Sequence, residues 1–170
     1  MKKTIIPLRW IIPLKNWKKA IIRTSIVIIL IICINAFFVK VFRTVGKSME
    51  PTIRNYSLVF VNRLAYLHHI PAEDDIIVFR TSNRPYLYFV KRVIGLPGET
   101  ISFKDGSLYI NGIEKSQPYI SFKDNWTVKP FKVKKGFIFV AGDNRHFSWN
   151  EQFHAQVNIK DVIGKVIGYR

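Results

Sequence analysis

Hydropathy divides the chain into two unlike parts. From Thr24 to Val39 it reads TSIVIILIICINAFFV, with no charge and few polar positions, and apolar residues continue back to Ala20 and forward to Phe42. This run lacks the amphipathic period of a helix packed on a core and reads as a helix that is apolar on every side. Its uncharged length falls short of the ~20 residues that usually span a bilayer, but Arg23 and Lys40 can snorkel toward the headgroups, which makes 20–42 long enough. A cleavable signal would need small residues after a shorter apolar core, and Ala36-Phe37-Phe38-Val39-Lys40 is bulky there.

After this run the pattern becomes short stretches rich in Val, Ile, Tyr and Phe, broken by Gly, Pro, Asn and Asp. That alternation predicts strands over 57–62, 76–80, 86–94, 100–103, 108–110, 137–141 and 162–169. Asn111-Gly112 between apolar flanks predicts a tight hairpin. The stretch 115–135 is the least regular and reads as an excursion from the sheet. The expected fold is mainly β: a coiled or barrel-like antiparallel sheet domain over 43–170, behind one N-terminal transmembrane helix.

Charge orients this arrangement. The chain carries 27 basic and 11 acidic residues, a net +16 that first suggests nucleic acid. Seven of the basic residues (Lys2, Lys3, Arg9, Lys15, Lys18, Lys19 and Arg23) lie ahead of the long apolar run, with no acidic residue among them. That bias places 1–19 in the cytoplasm as a basic tail, 20–42 as an anchor in the cytoplasmic membrane, crossing once, and 43–170 outside it. The remaining basic residues form no long run and suit work beside anionic lipid rather than nucleic acid. Cys33 is the only cysteine, so neither an internal disulfide nor a cysteine metal cluster is possible, and it reads as a small apolar residue of the helix.

The candidate chemistry lies just past the anchor. In Val45-Gly46-Lys47-Ser48-Met49-Glu50-Pro51, Ser48 is either a turn residue before proline or a nucleophile whose turn offers peptide N–H groups to an oxyanion. A serine nucleophile needs a base. His68 and His69 precede Pro71 in a polar turn, and His146 and His154 lie far along the chain, so all four read as solvated loop residues. Lys91 lies within an apolar strand, where alternation groups it with Leu87, Phe89 and Val93. It is either a lysine snorkelling from a half-buried face or one whose charge is disfavoured by burial, which would make it a base near neutral pH.

Four blocks resemble the bacterial type I signal peptidases, in that family's order: 46–52 (GKSMEPT), 75–79 (DIIVF), 90–99 (VKRVIGLPGE) and 142–148 (GDNRHFS). The resemblance implies a serine endopeptidase with a Ser/Lys dyad. Ser48 would be the nucleophile and Lys91 the base, Ser148 would hydrogen-bond and orient the lysine, and the Ser48 backbone N–H would be an oxyanion donor. Arg92 and Asp143 match positions that pair as a structural salt bridge. No metal or cofactor is implied. The implied substrates are preproteins with small residues before the cut, and the implied surroundings are membrane lipid. The pattern departs at Asn150 and Gln152, where the family has an aspartate and an arginine. That departure leaves open a conjugation-associated relative that matures a pilin or transfer protein. A catalytically silent membrane scaffold keeping the fold is a further alternative.

Overall fold

The computed structural model describes residues 16–81, 84–121, 125–146, 149 and 154–170. The chain forms two compact units, 1–37 and 38–170. Helix α1 (Trp17–Phe38) lies in the first except for its last residue. Its β-branched isoleucines are poor helix formers in water, yet Ile21, Ile22, Ile26, Ile28, Ile29 and Ile32 are each more than half exposed. Apolar side chains therefore stand on all its described faces.

The helix ends earlier than the apolar run. Val39–Arg43 is strand β1, paired antiparallel with β2 (Leu58–Asn62), and the Arg63 amide donates to the Phe38 carbonyl. Four residues of the expected 20–42 anchor thus belong to the sheet, where Val39 and Val41 gain cross-strand partners that a helix would deny them. The uncharged helical stretch, 24–38, is about 22 Å long against a hydrocarbon core of about 30 Å. Among the described residues no helix is long and apolar enough to cross a membrane.

The remaining strands are β3 (Ile76–Thr81), β4 (Arg84–Gly95), β5 (Thr100–Lys104), β6 (Ser107–Ile110), β7 (Ile113–Lys115), β8 (Val128–Lys132), β9 (Phe137–Ala141), β10 (Ala155–Asn158) and β11 (Val162–Tyr169). They form a seven-stranded antiparallel sheet, β1-β2-β11-β3-β4-β9-β10, and a four-stranded one, β7-β6-β5-β8. Among the described residues β1 and β10 stay unpaired at opposite edges, so the expected barrel is instead an open sheet. Asn111 and Gly112 both have positive φ between β6 and β7, the backbone a two-residue hairpin requires.

Two clusters on the large sheet position the site. Met49 and Ile53, from the loop between β1 and β2, are buried with Val59, Val61 and Val78. Ile77, Phe79 and Val93 pack with Ile138 and Val140. β11 approaches β2 so closely that a Cβ on Gly164 would lie 2.3 Å from the Asn62 carbonyl oxygen. Gly164→Ala is therefore expected to cost about 2 kcal/mol, seen as a fall of roughly 4–8 °C in Tm.

Candidate active site

The loop that joins β1 to β2 carries Ser48, and backbone pairing closes its base: the Thr44 amide donates to Ser57 and the Tyr56 amide to Thr44. Inside it, Gly46 adopts φ 113° and donates to Asn55 Oδ1 at 2.9 Å, a conformation that favours glycine. The Glu50 amide donates to the Lys47 carbonyl (3.1 Å) and the Ile53 amide to the Met49 carbonyl (2.8 Å), which folds 47–53 into consecutive turns. Glu50-Pro51 is cis. Burial of Met49 and Ile53 at 4% and 1% exposure pins the turns to the core while Ser48, between them and the Gly46 bend, stays partly exposed.

Lys91 comes from β4, an interior strand with β3 on one side and β9 on the other. Its cross-strand partner is Ile77, and the neighbouring pair on that face, Phe79 and Phe89, stacks with ring centroids 5.7 Å apart. Lys91 is 3% exposed. Burial pushes its ammonium down from 10.5 to about 8; the Asp143 carboxylate opposes that shift and the Arg145 guanidinium adds to it. At pH 7 roughly a tenth of such lysines is neutral, and about half at pH 8.

Ser48 and Lys91 line one cleft of about 720 Å³. Phe42, Val45, Met49, Val78 and Tyr88 supply much of its apolar wall, and no histidine lines it among the described residues. His68, His69 and His146 are exposed and His154 is half-buried. A serine and a buried, readily neutralised lysine that line one apolar cleft have the parts of a nucleophile and a general base.

The expected Arg92–Asp143 pair is present. Register sets Arg92 opposite Ala141, so Asp143, two residues past the end of β9, meets the guanidinium in a two-point contact: Nε donates to Oδ1 (2.9 Å) and Nη2 to Oδ2 (2.6 Å). Both residues are buried, and Arg92 also donates to the Asp74 carbonyl and lies 3.8 Å from the centroid of the Tyr119 ring. Ser148, Asn150 and Gln152 lie outside the described residues.

Three residues that the sequence did not single out also belong here. Thr52 Oγ1 donates to Asp143 Oδ2 at 2.6 Å, and Asn144 donates from its amide to the Ser48 carbonyl (3.1 Å) and from Nδ2 to the Lys47 carbonyl (3.0 Å). Arg145 is buried at 3% exposure, donates from Nε to the Gly142 carbonyl and lies 4.8 Å from the Trp126 ring centroid. Burial pushes its guanidinium down to about 10, against the opposing pull of Tyr119 and Asp143. All three sit in or beside the quoted sequence blocks, but their partners follow only from folding.

Comparison with known proteins matches residues 15–169 to the family described as signal peptidase, peptidase S26. A signal peptidase I of Bacillus caldolyticus is 37% identical over 135 residues, covering 71% of this chain and 73% of that protein. A signal peptidase I of Bacillus licheniformis is 35% identical over 148 residues, with 81% and 77% covered. The crystal structure of a signal peptidase I from Enterococcus faecalis V583 is 32% identical, covers 56% of this chain and 96% of that one, and has a TM-score of 0.47.

Proposed function

Since the chain belongs to the signal peptidase S26 family and is a serine endopeptidase of the signal peptidase I type, we propose that Ser48 is its nucleophile and Lys91 its general base. The observation that carries this reading is the shared cleft, in which a 3%-exposed lysine with a pKa near 8 faces the same space as the serine turn. Neutral Lys91 takes the Ser48 hydroxyl proton as Oγ attacks the carbonyl before the cut. The Ser48 backbone N–H stabilises the oxyanion, and the lysine passes its proton to the leaving amine. Water, deprotonated by the same lysine, then releases the acyl group and restores Ser48. By family resemblance Ser148 orients the lysine, while Arg92 and Asp143 support the site without touching substrate.

The substrate reading is an extended signal-peptide end with small residues one and three positions before the cut, seated against the apolar wall of Phe42, Val45, Met49, Val78 and Tyr88. Attachment to the cytoplasmic membrane runs through α1, with 1–19 on the cytoplasmic side and the sheet domain on the outer side. The exposed isoleucines of α1 support this, since lipid would cover them. Its short uncharged stretch is extended by snorkelling of Lys19 and Arg23 and by local thinning of the bilayer.

The test is cleavage of a purified preprotein, with the new amino terminus read by mass spectrometry. Cleavage is expected after an Ala-X-Ala end, and replacing the residue before the cut with phenylalanine is expected to lower kcat/KM on the order of 100-fold. Equal cleavage of both substrates would reject the small-residue reading. Cleavage of a pilin but of no preprotein would favour the transfer-protein alternative.

A further inference from the structure

Ser48 and Lys91 lie on elements that do not pair. The Ser48 loop joins β1 to β2 at one edge of the large sheet, and β11 and β3 stand between β2 and β4 in the strand order. Strand pairing alone therefore leaves the loop free to shift relative to the lysine, and catalysis tolerates little such freedom. The dipeptide Asp143-Asn144, just past β9, meets both.

Asn144 takes the near end of the nucleophile turn, with its amide on the Ser48 carbonyl (3.1 Å) and Nδ2 on the Lys47 carbonyl (3.0 Å). Asp143, 1% exposed, takes the far end by accepting from Thr52 Oγ1 at 2.6 Å. The same carboxylate accepts two bonds from Arg92, the residue after Lys91 on β4. A short bond to a buried carboxylate is among the stronger neutral-to-charged contacts available to a hydroxyl. Thr52, Asp143 and Arg92 thus form one chain of contacts from the serine turn to the lysine strand.

Resting on the Ser48–Lys91 reading, we propose that Thr52 and Asn144 are positioning residues for that reaction: with Asp143 they clamp both ends of the nucleophile turn and hold it in register with β4. Neither touches substrate in this role. The Thr52 hydroxyl and the Asn144 carboxamide act through the backbone of 47–52, on the placement of Ser48 Oγ against the lysine.

The experiment measures kcat and KM of the full chain in detergent for Thr52→Val, Thr52→Ser and Asn144→Ala on one preprotein, with Tm taken for each. Valine keeps the volume of threonine and removes the donor, whereas serine keeps the donor. Thr52→Val is expected to lose roughly 10- to 100-fold in kcat with KM changed less than about twofold, and Asn144→Ala to lose a comparable factor. Thr52→Ser should recover most of the parental kcat. Gly164→Ala, at a residue that does not itself line the cleft although its cross-strand partner Val78 does, serves as the control: a similar or larger fall in Tm with kcat retained below the unfolding range.

Parental kcat in Thr52→Val would overturn the proposal. So would equal losses in the valine and serine variants, or a kcat that follows Tm across all variants including Gly164→Ala. If Ser48→Ala itself kept its activity, the dyad reading would fail first and the clamp with it, an outcome separable from the others.

Discussion

Ser48→Ala is expected to lower preprotein processing by about 10,000-fold or more while leaving Tm within a few degrees of the parent. The size follows from the roles of the atom removed. Without Oγ no acyl-enzyme forms, and what remains is catalysis from binding and backbone oxyanion donors acting on a poorly activated water. The fold should hardly change, because the Gly46 bend, the Met49 and Ile53 anchors and the Asn144 bonds are made by other atoms. A steady-state assay beside a thermal melt checks both halves, and retained processing would remove Ser48 from the mechanism.

Lys91→Met combines an equally large loss of activity with a gain in stability. Methionine has no base, so kcat is expected to fall by at least about 10,000-fold. In the parent, the folded-state pKa near 8 lies below the 10.5 of the unfolded chain, so the unfolded state binds more protons between those values and stability rises with pH across that window. Below pH 8 the ammonium is charged in both states, and burying it costs about 3 kcal/mol. Methionine removes that cost, so Tm at pH 7 should rise, and the gain should shrink from pH 8 to 10.5. The parent's kcat/KM should meanwhile climb tenfold per pH unit below 8 and level off above it, because the neutral form is the base. A rate flat from pH 6 to 10 would contradict this, as would a Lys91→Met protein no more stable than the parent at pH 7. The coincidence of a destabilising group with the reacting one is common where activity demands a perturbed pKa.

Much of the fold was legible because its interior strands carry their own pattern. The strands expected at 137–141 and 162–169 agree with β9 and β11, and those expected at 57–62, 76–80 and 86–94 find β2, β3 and β4 with end shifts of no more than two residues. The unpredicted strands are β1, β7, β8 and β10, and all four are sheet edges. An edge strand buries less and tolerates polar residues and proline, so β8 can carry Pro130 in the sequence VKPFK, and β7 is exposed throughout. β1 was hidden for another reason. Its apolar residues continue those of α1, and hydropathy alone does not say where helix gives way to strand.

For Ser48 and Lys91, the primary structure alone carries the residue types, an apolar strand around the lysine, a turn before Pro51 at the serine, and the family blocks that hold them. Each is local, written within about ten neighbouring residues. Folding is what brings both residues to one cleft, buries Lys91 to 3% exposure on the strand between β3 and β9, and lets Asp143-Asn144 join the turn to the strand. The physical reason is that desolvation and hydrogen bonding depend on what arrives from elsewhere in the chain: Thr52 meets Asp143 across 91 residues and Arg92 meets it across 51.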